Sequence, residues 1–171
     1  MSARELVQRA LLIALVAAAT SAVKIATPGT QGYVNFGDVV IIAGALLLGG
    51  RTGAVAGGVG SALADLFGGY SHWAPFTLVI KGLEGGLVGG LAGRFRPNLR
   101  RPAGLVLGGA LALLAVSWMV AGYFAAECWL YSLGPAVASV PGNVAQALAG
   151  LAGGVPLAAA LQGRVGLTPR A

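Results

Sequence analysis

Lys81 and Glu84 stand three residues apart inside a long apolar run, and Thr77 precedes Lys81 by four, so the three side chains share one face if the run is helical. Asp38, Asp65, Glu127, Asn143 and Gln146 lie toward the ends of other apolar runs, with Asn143 and Gln146 again on one face at i, i+3. A cation, several carboxylates and two amides gathered in one layer can hold a compact, water-soluble ligand through hydrogen bonds. Bond-breaking chemistry needs more: a nucleophile beside a base, or a metal pair. Ser61 with His72 is the one Ser/His combination the sequence suggests, and its spacing matches no recognised motif. His72 is the sole histidine and reads as a solvated loop residue, while Cys128 is the sole cysteine and reads as a small packing residue among apolar neighbours. No metal centre, cofactor or disulfide is expected from them. The chain also lacks a GxxxxGK[ST] phosphate loop, so an ATP-driven step must come from another chain.

The elements that must carry these residues belong in a bilayer. Of 171 residues, 57% are apolar and 9% charged, which is too little charge to coat a water-soluble domain. Crossing the roughly 30 Å hydrocarbon layer takes about 20 apolar residues per helix. The chain therefore reads as an all-α integral membrane protein, a single domain over residues 1–171 built from about six transmembrane helices with short connections. The expected spans are Val7 to Ala26, Phe36 to Gly50, Gly53 to Gly69, Ala74 to Gly93, Ala103 to Ala126 and Asn143 to Gln162. The second and third are short and glycine-rich around Gly49-Gly50-Arg51-Thr52-Gly53, so they are tilted or shielded from lipid by neighbours, or else the count is five. With the amino terminus in the cytoplasm, six spans put all nine arginines inside, including Arg51, the Arg94–Arg101 segment, Arg164 and Arg170. Both termini are then cytoplasmic, and the net charge of +6 reflects membrane orientation rather than nucleic-acid binding. Arg4, Arg9 and Thr20-Ser21-Ala22 give the first span some likeness to a signal peptide, but Lys24 and the later apolar runs favour a retained helix in a multi-pass protein of the cell membrane.

In this topology the ionisable and amide side chains collect near the outer ends of the spans. A charge near the bilayer centre costs at least about 2.5 kcal/mol, so such groups face a bundle interior or a wet cavity. The plainer alternative is that Lys81 and Glu84 neutralise each other while the acids touch headgroup water, which leaves the amides in the same layer unexplained. The outer connections Gln31-Gly32-Tyr33-Val34-Asn35 and Gly68-Gly69-Tyr70-Ser71-His72-Trp73 supply aromatic and hydrogen-bonding groups that serve either as lids over a ligand or as an interfacial belt. Asn35, Asp38, Asp65, Trp73, Thr77, Lys81, Glu84, Glu127, Asn143 and Gln146 form the candidate substrate-binding set. A second feature is the alanine at every fourth position of the first span, Ala10, Ala14, Ala18, Ala22 and Ala26. Such a flat stripe suits close helix approach, either within the bundle or to a separate membrane protein. Gly85, Gly89 and Gly93 make a similar row in the fourth span, expected to pack internally.

Asn35-Phe36-Gly37-Asp38, Gly60-Ser61-Ala62-Leu63-Ala64-Asp65, and Trp73-Ala74-Pro75-Phe76-Thr77 through Lys81-Gly82-Leu83-Glu84-Gly85 resemble the substrate-binding S components of energy-coupling factor (ECF) transporters. The likeness covers most of the chain, is loosest in the last third, and is closest to the riboflavin-type branch that includes hydroxymethylpyrimidine and vitamin B6 carriers. It implies a six-helix subunit without enzymatic activity that holds a vitamin or vitamin precursor near its outer face. It also implies docking, through the alanine surface on the first helix, to a membrane T component served by two cytoplasmic ATPases. A pyrimidine or pyridine precursor fits that branch, as does riboflavin; a stand-alone permease or small oligomeric channel is the rival reading.

Overall fold

The computed structural model describes residues 2–27 and 29–163. Six helices account for most of them: α1 (Ala3–Ala22), α2 (Gly37–Leu48), α3 (Gly50–Gly68), α4 (Ala74–Phe95), α5 (Pro102–Leu130) and α6 (Leu133–Leu161). Two three-residue strands, β1 (Ile25–Thr27) and β2 (Gly32–Val34), form an antiparallel hairpin between α1 and α2, with Ala26 opposite Tyr33. α1, α4, α5 and α6 each have the length and apolarity to cross a membrane unaided. α2, at 12 residues, is only about 18 Å long, and nine of its residues are buried among its neighbours. That burial spares its backbone from lipid, as its shortness requires. Arg164 and Arg170 lie outside the described residues.

Several boundaries differ from expectation. α1 starts four residues earlier because Ser2 and Glu5 form a reciprocal cap, Glu5 N–H donating to Ser2 Oγ at 3.3 Å and Ser2 N–H to Glu5 Oε2 at 3.0 Å. It also ends earlier, since Val23 is extended and Ala26 belongs to β1. The helical alanine ladder therefore stops at Ala22. α5 continues through Leu130, which brings Glu127 into its last turn. α6 begins ten residues sooner than expected, at Leu133, and runs through Pro141; packed neighbours in a bundle allow a helix to tolerate the missing N–H.

The alanine stripe faces outward. Ala10, Ala14, Ala18 and Ala22 are all exposed, whereas Leu12, Val16 and Thr20 turn α1 into the bundle. Internal packing is thus not what the stripe does in this chain.

The tightest seam joins α3 to α4 and has almost no side chains in it. A Cβ on Gly53 would lie 2.5 Å from the Gly85 carbonyl oxygen, and one on Gly85 would run into the Gly53 backbone. Gly89 meets Gly49 and Gly50 in the same way, while Gly93 faces open space and takes no part. Such backbone-on-backbone approach is the small-residue packing that stabilises helices in lipid. Gly85→Ala is expected to destabilise the protein by about 1–3 kcal/mol, because the clashing atoms are backbone and cannot rotate away. Thermal unfolding in detergent measures it; an unchanged midpoint contradicts the seam. At the opposite end of the bundle from the hairpin, Gln162 holds the α4–α5 loop by accepting from Leu99 N–H at 2.7 Å and donating to the Pro97 carbonyl at 3.1 Å.

Candidate functional site

The seam fixes Lys81 and Glu84 against α2. Both are almost fully buried, at 1% and 0% exposure, and both point into the bundle. Lys81 Nζ donates to Asp38 Oδ1 and, at 3.0 Å, to Glu84 Oε2. Gln146 Nε2 donates to Asp38 Oδ2 at 2.8 Å, and the Asn35 N–H donates to Gln146 Oε1 at 2.7 Å. Asn35 in turn accepts the Gly37 N–H at 2.8 Å, which fixes the start of α2. The i,i+3 pair of Lys81 and Glu84 does form, as the plainer alternative held, but Asp38 and Gln146 extend it into a network spanning α2, α4 and α6. Further hydrogen bonds offset the cost of burying an ion pair, and Gln146 supplies one to Asp38, while Glu84 Oε1 has no hydrogen-bond partner.

Above this floor is a polar cavity. α3 contributes Ser61 and Asp65, α4 contributes Thr77 and Lys81, α5 contributes Tyr123 and Glu127, and α6 contributes Asn143. Thr20, Trp73, Asn35 and the hairpin residues Thr27, Gly32 and Tyr33 complete the wall. Glu127 accepts from Ser139 Oγ, which accepts from Asn143 Nδ2 at 3.5 Å. Tyr123 O–H donates to Thr77 Oγ1 at 3.3 Å. The enclosed volume is about 30 Å³. Sites for drug-sized ligands run from roughly 300 Å³, so admitting a heterocycle requires the lining side chains to move apart.

The hairpin closes one side. Tyr33 O–H donates to Asp65 Oδ1 at 2.6 Å, and burial together with that neighbouring carboxylate pushes the phenol far above its ordinary pKa, so it stays a donor. The Tyr33 and Tyr70 rings lie 4.5 Å apart, with Lys24 Nζ at 4.7 and 5.3 Å from their centroids. Trp73 Nε1–H donates to the Gln31 carbonyl at 3.2 Å, and the ring is buried among Phe76, Tyr123 and Tyr131. A buried ring of this kind is not part of an interfacial belt.

Seven of the ten candidate residues line the cavity: Asn35, Asp65, Trp73, Thr77, Lys81, Glu127 and Asn143. Asp38, Glu84 and Gln146 lie in the network that holds Lys81. Thr20, Thr27, Tyr33, Ser61 and Tyr123 also line it but were not in the candidate set. Two carried a sequence signal: Ser61 precedes Asp65, and Tyr123 precedes Glu127, by one helical turn. His72 is exposed and within 3.0 Å of the Tyr131 hydroxyl. Among the described residues no His, Cys, Asp or Glu cluster could hold a metal ion.

A family model for the S component of ECF-type riboflavin transporters matches residues 1–163. The chain belongs to that family. Its relatives include an uncharacterised protein of Pyrococcus woesei, 44% identical over 147 residues that cover 86% of this chain and 94% of the other. Another is the thiamine precursor transporter HmpT of Lactococcus lactis subsp. cremoris (strain MG1363), 33% identical over 124 residues, covering 72% of this chain and 66% of the relative. This S component is a transport protein, and its four long apolar helices make it a multi-pass membrane protein.

Proposed function

We propose that this S component captures a small water-soluble vitamin or vitamin precursor at the polar cavity and passes it on by docking to a T component with two ATPases. The observation that carries this reading is the polar cavity set on a buried ion-pair network, in a chain whose family is an importer subunit. Groups so costly to bury in an apolar bundle mark a functional path. Lys81, the lysine of the lining, is already held by Asp38 and Glu84, which suits a neutral ligand better than a phosphate ester. The relative's description as a thiamine precursor transporter supports a compact precursor. In this reading the outward alanine face of α1 supplies the docking surface, six spans put both termini on one side, the arginines of the connections make that side the cytoplasm, and the ligand enters from the other.

Titration of the purified protein in detergent with riboflavin, thiamine, pyridoxine and 4-amino-2-methylpyrimidine tests capture. One of them is expected to saturate the protein at a one-to-one ratio, and alanine at Asn143 to weaken it by about 1–3 kcal/mol. Absence of binding by all four overturns the proposal.

A further inference from the structure

Between α5 and α6 lies a groove of about 490 Å³ that shares no residue with the polar cavity. Leu113, Ala121 and Phe124 line it from α5, and Val140, Val144 and Leu148 from α6. Its one hydroxyl, Ser117 Oγ, donates to the Leu113 carbonyl of its own helix at 2.8 Å, so no side-chain donor is left for a polar occupant. α1 packs on α2 and α3 and takes no part in the groove, which is therefore separate from the outward alanine face.

Two residues fix its depth. Arg101, exposed at the start of α5, and Trp129, 77% exposed in its last turn, are separated by about 42 Å along the helix. Arginine reaches for the headgroups and tryptophan sits at the interface, and a bilayer with its headgroup regions is about 40–45 Å thick. The midplane then falls near Ala115. From Leu113 to Phe124 the groove runs about 16 Å, so it occupies the half of the bilayer on the hairpin side and matches the roughly 15 Å of hydrocarbon in one leaflet. Size decides among apolar occupants. A helix is 10–12 Å across, so a 16 Å length of it takes up roughly 1,300–1,900 Å³ and can only lie across the mouth. A void in this place forfeits dispersion contacts along its whole lining, and a flexible acyl chain fills an irregular slot where a rigid element does not.

We infer that the groove between α5 and α6 seats one acyl chain of a phospholipid from the leaflet on the hairpin side. The chain lies against the two helices that carry Tyr123 and Asn143 to the cavity, and its seat does not depend on which nutrient the cavity takes. No charged side chain lines the groove, so the lipid is held by its chain rather than by its headgroup.

Native mass spectrometry of the full chain, delipidated in detergent and titrated with dioleoylphosphatidylcholine, tests the seat. One lipid per protein is expected to be retained at least about tenfold more tightly than any further lipid. Ala121→Trp fills the groove from α5 and is expected to weaken that first lipid by about tenfold or more. Leu114→Trp, at the same depth on an exposed part of α5 outside the groove, should leave it unchanged. If Ala121→Trp does not fold, Val144→Trp fills the groove from α6 in its place. Absence of a distinct first lipid, retention of it by the groove-filling variant, or equal weakening by Leu114→Trp overturns the inference. A two-chain species that the groove-filling variant dissociates makes the groove a contact between copies and also overturns it. Tighter retention of oleate than of the phospholipid does the same.

Discussion

Replacing Lys81 with methionine is expected to cost about 3–5 kcal/mol of stability, because Asp38 and Glu84 are left buried and facing each other with no cation between them. The methionine fills much of the same space, so lost packing contributes little. For a protein of this size the loss lowers the thermal midpoint by roughly 6–20 °C, measurable by heating the solubilised protein and following its monodisperse fraction. The triple variant Lys81→Met, Asp38→Asn, Glu84→Gln removes every charge from the network and should recover more than half of the loss, since the main penalty is an uncompensated buried charge. A single variant as stable as the parent, or a triple variant no better than the single, contradicts this account of the floor.

The second large effect concerns assembly. Ala14 and Ala18 lie at the centre of the outward alanine face, and tryptophan at either position should hold a partner helix several ångströms away. Co-purification with the T component and its ATPases is expected to fall below about a tenth of the parent level, a loss of more than about 1.4 kcal/mol. Ligand affinity should be unchanged, because these residues are exposed while the cavity is bounded on α1 by the inward Thr20. Normal assembly in both variants removes the docking role from this face.

The membrane class, the number of helices and the inward direction of Lys81 and Glu84 were all legible in the sequence, because hydropathy and the cost of a charge in lipid are local properties. The partner of Lys81 was not. Asp38 lies 43 residues away on a separate helix, and no spacing rule links two spans whose relative rotation is set by packing. The hairpin was missed for a related reason: Ala26 continues the four-residue alanine rhythm of α1, and three-residue strands leave too little alternation to interrupt it. Ser61 and Thr20 were not assigned to the binding set because a hydroxyl among alanines and glycines is ordinary packing until the fold turns it toward a cavity. The outward turn of Ala10 to Ala22 likewise needed the fold, since a stripe of small residues looks the same whichever neighbour it meets.

The glycine seam between α3 and α4 shifts where entropy is lost. Glycine makes helix formation less favourable because its backbone has the most freedom to surrender. In a bilayer, however, helices form before they associate, so that loss falls on the earlier step. When α3 then meets α4, Gly53 and Gly85 have no rotamers to freeze, and their contact adds no side-chain entropy cost. A substitution at this seam should therefore leave helical content nearly intact by circular dichroism and appear in how the helices associate.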